Sequence, residues 1–409
     1  MKRLFLLSLC FMSMGAFAQW NGGGWNGGGW NGGGNNGGWN FNGEGSNNGG
    51  SIGEYKSKKD LDYVGDNHIG HKLDVYFPKD DGKEKHNVII HIYGSAWGSN
   101  NSKGSADLGT VGVAALKAGY IFVTPNHRTY NDALYPAQIN DIKAVVRYLR
   151  GNAEELGIDT SFIGISGFSS GGHLASLMGV TRGVKTYTVG SATMDIEGNL
   201  GKYTNESSWV DAVCDWSGPV DCRYKSCGNP IQMAPEDDMV GKCNAQQCPD
   251  KHALLGANTF IDPDDAPTMV CHGSTDNIVP QCEGKMFYDN LENAGVECVY
   301  YPHGGGHGVA GDYTDEMIEF FEGIRKKKLE NQASVKAIDA VASQGLCFDN
   351  DKVYICEGSC ENCTYILTDV LGKVLSQGVL NDNGINISQL SKGIYVIRLS
   401  SGKTLKFSK

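Results

Sequence analysis

Three residues far apart in the chain, Ser169, Asp276 and His307, have the types and surroundings for nucleophilic acyl chemistry. Ser169 sits in Gly167-Phe168-Ser169-Ser170-Gly171, directly after the run Phe162-Ile163-Gly164-Ile165 and directly before the helix-like His173-Leu174-Ala175-Ser176-Leu177-Met178. Small residues on both flanks permit a strained strand-to-helix turn that lifts a serine hydroxyl clear of the backbone, and the helix N-terminus favours negative charge beside it. A serine hydroxyl is a weak nucleophile without a base, and an imidazole base needs a carboxylate to hold its tautomer. Asp276 follows the run Thr268–His272, and His307 follows Cys298–Tyr301 within Gly304-Gly305-Gly306-His307-Gly308. Both therefore fall at C-terminal ends of predicted strands, where open parallel sheets place their sites.

Rivals for these roles read as structural. His173 follows the glycines of the turn and points into helix packing, while His91 and His272 lie in or at the end of core strands and should be buried and hydrogen-bonded. His303 is the nearest rival to His307 as base. Asp262, Asp264 and Asp265 precede the Thr268 strand rather than follow it and read as solvated loop charges.

The elements that must position these groups alternate along residues 54–330. Val88–Tyr93, Tyr120–Val123, Phe162–Ile165, Ala212–Trp216, Thr268–His272 and Cys298–Tyr301 are continuous apolar runs of buried-strand length. Between them lie helices, clearest in Pro136–Leu149, where Ile139, Ile142, Val145, Val146 and Leu149 form an amphipathic stripe. The alternation predicts an α/β domain, a mostly parallel sheet with helices on both faces.

The chain has 409 residues, with 35 Lys+Arg against 46 Asp+Glu and a net charge of −11. That balance argues against nucleic acid or an anionic membrane as the main partner, since both are held by clustered positive charge. Residues 1–18 read as a cleaved secretory signal: Lys2 and Arg3, an apolar run too short to span a bilayer, and Ala16-Phe17-Ala18. No transmembrane segment is expected after cleavage. Residues 19–53 are nearly all Gly, Asn and Trp, with near-identical five-residue units opened by Trp20, Trp25 and Trp30. They read as a flexible linker whose indoles are open to stacking on sugar rings. Of the 13 cysteines, Cys10 leaves with the signal. Export makes disulfides the default for the rest, with Cys222/Cys227, Cys243/Cys248, Cys347/Cys356 and Cys360/Cys363 as close pairs. A zinc site at Cys360-x-x-Cys363 lacks further ligands at suitable spacing, so no metal is expected.

After Arg325-Lys326-Lys327-Lys328, residues 331–353 read as a linker and 354–409 as a separate small β domain, sandwich-like, with short strands between Gly, Asn and Asp turns. Its Asp369-Val370-Leu371-Gly372-Lys373 and Leu390-Ser391-Lys392-Gly393-Ile394-Tyr395-Val396 resemble elements of the C-terminal sorting domain of type IX secretion cargo. That resemblance implies the type IX machinery as a partner and a location outside a Gram-negative cell, secreted or attached to its surface.

Residues 60–325 resemble the bacterial feruloyl-esterase-like (BD-FAE) and hormone-sensitive-lipase-like α/β-hydrolases. The resemblance rests on Tyr93–Trp97, Asn126-His127-Arg128, Tyr135–Ile142, the Ser169 turn, Trp216-Ser217-Gly218-Pro219 and His272–Pro280. It implies a serine carboxylic-ester hydrolase without metal or organic cofactor, in which Ser169 attacks, His307 carries the proton and Asp276 orients His307. Tyr93-Gly94-Ser95-Ala96-Trp97 is similar to the family's H-G-G-G/A-W loop, with Tyr93 in place of His and Ser95 in place of the second Gly. By that likeness the amides of Ser95 and Ala96, with that of Ser170, form the oxyanion hole. The expected substrate is an ester, an acetylated or feruloylated plant polysaccharide; a general carboxylesterase, lipase or peptidase of the same fold, or a non-catalytic glycan-binding surface protein, are the alternatives. The insertion from Cys222 to Cys248 falls where such folds carry a lid.

Overall fold

Period-two alternation sorts the apolar residues of the central strands onto two faces. In a computed structural model that describes residues 52–222, 235–341, 346–348, 352–355, 363–370, 372–380, 384–391, 393–402 and 404–409, Val88, Ile90 and Ile92 join one core while Ile89 joins another. Ile163 and Ile165 likewise oppose Phe162, and Val270 opposes Met269 and Cys271. Apolar residues on both faces require cover on both faces, which is why these runs lack the polar side of a half-exposed strand. The predicted signal, the Trp-rich linker up to residue 51 and residues 223–234 of the insertion lie outside the described residues.

In chain order the elements are β1 (Ser57–Asp62), β2 (Lys72–Tyr76), β3 (His86–Ile92), α1 (Val113–Lys117), β4 (Ile121–Pro125), α2 (Ala137–Gly151), α3 (Ala153–Leu156) and β5 (Ile158–Phe168). Next come α4 (Ser170–Val180), a hairpin of β6 (Thr186–Val189) and β7 (Ala192–Asp195), β8 (Ala212–Trp216), α5 (Pro235–Met239) and α6 (Pro249–Leu255). β9 (Thr268–Gly273), α7 (Gln281–Ala294), β10 (Cys298–His303) and α8 (Thr314–Val341) complete the domain. The described residues form an eight-stranded sheet in the order β1-β2-β4-β3-β5-β8-β9-β10. β2 is antiparallel to both β1 and β4, and the pairs from β4 to β10 are parallel. This is the α/β-hydrolase fold. Sequence reading passed over β1, β2 and the β6–β7 hairpin, whose lysine- and threonine-rich stretches carry no continuous apolar run.

Side chains of α2, α4 and α7 fill one core, and those of α1 and α8 the other. α2 matches the stripe read from Pro136–Leu149. α8 continues past Glu330 to Val341, into the stretch read as linker. Beyond it, β11 (Leu346–Phe348), β12 (Lys352–Ile355) and β15 (Ile385–Asn386) make a three-stranded sheet. β13 (Thr364–Asp369), β14 (Val374–Val379), β16 (Ile394–Leu399) and β17 (Thr404–Ser408) make a four-stranded one. Leu346, Val353 and Ile385 share a core with Leu367, Ile397 and Phe407, so residues of the two sheets bury one another.

Cys243 and Cys248 are disulfide-bonded, as their spacing suggested. Cys282, Cys347 and Cys363 are also disulfide cysteines; Cys227, Cys356 and Cys360 lie outside the described residues. The default to disulfides fails for Cys214, Cys271 and Cys298, which are thiols. Register explains two of them: Cys214 on β8 pairs with Met269, and Cys271 on β9 pairs with Trp216, so the two sulfurs are two residues out of step. Burial pushes the Cys298 thiol up to about 11.

The turn after β5 depends on close backbone approach. A Cβ on Gly167 would stand 2.1 Å from the Gly171 carbonyl oxygen, and one on Gly171 would stand 2.1 Å from that of Ile92. Gly171→Ala must therefore drive α4 away from β3. It is expected to destabilise the domain by about 3 kcal/mol, read as a lower urea midpoint with an unchanged slope.

Candidate active site

Strand β5 ends at Phe168 and α4 begins at Ser170, leaving Ser169 to make the whole turn. Its backbone is left-handed, φ 55° and ψ −122°, the strained geometry expected where a side chain must be presented clear of the sheet. Two hydrogen bonds hold it there: Ser169 N donates to the Trp216 carbonyl at 2.9 Å, and the Ser169 carbonyl accepts from His173 N at 3.0 Å.

The loops after β9 and β10 bring the other two predicted residues to this turn. His307 Nε2 lies 2.9 Å from Ser169 Oγ, and His307 Nδ1 lies 2.8 Å from Asp276 Oδ2. These partners assign the tautomer: Nδ1–H donates to the carboxylate, and Nε2 accepts from the serine hydroxyl. Phe168 packs against the His307 ring at 4.8 Å. Asp276 Oδ1 accepts from the amides of Ile278 and Val279, each at 2.9 Å. Burial alone would raise the Asp276 carboxyl; hydrogen bonds from His272 and His307 overcome it and hold the group well below the usual carboxylate range.

The contact with His272 was not read from sequence. His272 Nε2 lies 2.9 Å from the Val279 carbonyl and 3.3 Å from Asp276 Oδ2, so the carboxylate faces two imidazoles. The four-residue spacing from His272 to Asp276 across a tight turn was the available signal. The other histidines are elsewhere engaged. His173 donates from Nε2 to the Leu255 carbonyl at 2.8 Å, and burial lowers it to about 4, which keeps it neutral. His91 sits between Ser166 Oγ and Asp107. His303 accepts from the Gly305 amide and packs on Tyr313. Asp265 departs from expectation: it is buried and accepts from the Asp262 amide, and burial raises it to about 7, so it organises its loop rather than being a solvated charge.

The Tyr93–Trp97 loop lies against the turn. Tyr93 OH donates to the Ser99 carbonyl at 2.8 Å and its ring stacks on His127, so tyrosine itself closes the loop. Ala96 and Trp97 adopt positive φ, 49° and 54°. The Ser95 amide, expected as an oxyanion donor, is already engaged: it donates to Ser170 Oγ at 2.9 Å. A small cleft of about 40 Å³ is lined by Ser169, Ser170 and Ala96. Trp97, Pro219, Pro235 and Val279 give it apolar walls, and Glu236 adds a carboxyl. Such a site can attack an acyl carbon and return a proton to the departing group.

Known proteins resemble this chain in sequence and fold. A solved carbohydrate esterase from gut microbiota, in truncated form, is 43% identical with a TM-score of 0.65, over 68% of this chain and 99% of that one. The probable carboxylic ester hydrolase LipM of Mycobacterium tuberculosis is 29% identical over 52% of this chain and 47% of its own length. An acetylxylan esterase of Xylanibacter ruminicola is 26% identical over 50% of this chain and 38% of its own. The chain thus spans about half the length, or less, of these two curated relatives. Residues 349–409 match the secretion system C-terminal sorting domain, a type IX sorting domain. Residues 73–291 match the BD-FAE family and hold the Ser169 turn, the Tyr93–Trp97 loop and Asp276: the chain belongs to the BD-FAE family.

Proposed function

We propose that this protein is a secreted serine esterase that removes acetyl or feruloyl groups from plant cell-wall polysaccharide. The observation that carries the reading is the unbroken hydrogen-bond chain from Ser169 Oγ through His307 to Asp276. Ser169 Oγ attacks the acyl carbon while its proton passes to His307 Nε2. Asp276 stabilises the imidazolium, the sugar hydroxyl leaves with that proton, and water activated by the same base releases the acid.

The amides of Ala96 and Ser170 receive the developing oxyanion. The Ser95 amide, engaged by Ser170 Oγ, fixes the loop that carries Ala96. Ser170→Ala is accordingly expected to lower kcat about fivefold, the worth of one ordinary hydrogen bond, with KM nearly unchanged. Steady-state kinetics on one soluble ester checks both parameters.

The sorting domain supports delivery across the outer membrane, to the medium or the cell surface, where polysaccharide is met. No helix among the described residues is long and apolar enough to cross a membrane. Kinship with a carbohydrate esterase and an acetylxylan esterase supports a sugar ester as substrate. The test is a paired rate assay of the secreted protein and Ser169→Ala on acetylated xylan, methyl ferulate and nitrophenyl esters. Serine-dependent release of acetate or ferulate is expected; activity on nitrophenyl esters alone would replace the polysaccharide reading with a general carboxylesterase.

A further inference from the structure

Glu236, the second residue of α5, has no part in the serine chemistry and yet lines the same cleft as Ser169. It is 9% exposed, its carboxyl accepts from its own backbone N–H, and it has no hydrogen bond or ion pair with another side chain among the described residues. One backbone hydrogen bond uses only part of a carboxyl's bonding capacity, and burial removes the water that would meet the rest. Such a group bordering a cleft is satisfied when a ligand enters. The neighbouring lining residues Trp97, Pro219 and Pro235 are apolar, so the Glu236 carboxyl is the charged group on this wall that can orient a polar ligand.

We propose that Glu236 is a specificity-determining residue that hydrogen-bonds a free hydroxyl of the substrate's sugar next to the ester bond, so that the site selects esters of polyhydroxylated alcohols. This rests on the esterase reading of Ser169 and names what that site recognises. A hydroxyl suits the position because it donates to an ionised carboxylate and accepts from a protonated one. Burial, reinforced by Asp237 and Glu283, raises Glu236 to about 7 although its own backbone N–H opposes the shift, so both forms are present at neutral pH. A hydroxyl meets either form, whereas a cationic substrate would be held only by the charged one.

The experiment uses two acetate esters of six-membered-ring alcohols, a mono-acetylated methyl xyloside and cyclohexyl acetate, of which only the first carries free hydroxyls beside the ester. The wild type is expected to favour the xyloside in kcat/KM by tenfold or more, and Glu236→Gln to reduce that preference about tenfold. Glu236→Leu should bring it near one. A preference unchanged in Glu236→Gln, or a variant that loses both activities equally, would overturn the assignment, the second result making Glu236 a partner of the serine site instead. If the wild type hydrolyses neither ester, nor the corresponding feruloyl esters, the esterase reading fails on its own. Binding of xylotriose to full-length Ser169→Ala, measured by calorimetry, then decides: about tenfold weaker binding on adding Glu236→Gln sustains the role, and equal or undetectable binding in both removes it.

Discussion

Ser169→Ala is expected to reduce kcat by about 10⁵-fold or more, with the fold intact. The magnitude follows from the non-additivity of serine hydrolase machinery, in which loss of the nucleophile alone removes nearly all that the three side chains supply together. Alanine keeps the left-handed backbone at this position, so the strain of the turn is neither relieved nor increased. Only the hydroxyl is lost, and with it the hydrogen bond to His307 Nε2. The melting temperature should therefore move by no more than a few degrees. Mass spectrometry supplies an independent reading: a slow substrate should leave an acyl group on the peptide containing Ser169 in the wild type and none in the variant. Hydrolysis that survives the substitution, or an acyl group found elsewhere, would discard the mechanism.

Asp276→Asn should lower kcat at neutral pH by about 10⁴-fold, because it imposes the wrong tautomer. The geometry leaves the amide little choice. The Oδ1 position accepts two backbone N–H groups, from Ile278 and Val279, so an asparagine must place its oxygen there. Its NH₂ then takes the Oδ2 position and donates towards His307 Nδ1. The imidazole proton is forced onto Nε2, which then cannot accept from Ser169. Stability should change as well, with a definite sign. A carboxyl held below its ordinary value of 3.8 stabilises the folded state above that pH, and the contribution is lost only as pH falls through the depressed folded value. Asp276→Asn removes this contribution, so the stability difference between variant and wild type should be full at neutral pH and shrink in strong acid. Denaturant titrations at a series of pH values check it. A variant that retains more than about a tenth of wild-type kcat would count against Asp276 as the orienting group.

The Gly-x-Ser-x-Gly turn was legible because its residue types form a short local pattern. A Cβ on Gly167 would meet the Gly171 carbonyl within the same turn, and one on Gly171 would meet the Ile92 carbonyl of β3, each at 2.1 Å, so both positions require glycine. The parallel sheet was legible for a related reason: strands buried on both faces lose the polar half of their alternation and read as continuous apolar runs. β1 and β2 sit at the antiparallel edge with a mixed pattern, and so escaped notice. Asp276 and His307 could be placed at strand ends from chain order alone.

What sequence by itself determined, then, was the set of elements, the turn that carries Ser169 and the residue types brought to one end of the sheet. Tertiary structure decided which side chains meet across it. It set His272 beside Asp276, turned the Ser95 amide onto Ser170 Oγ, kept Cys214 and Cys271 apart as thiols and buried Glu236 in the cleft. Each of these depends on register and on the approach of loops from different strands. Such distances are set by the packing of the whole sheet, and no local pattern of residues encodes them.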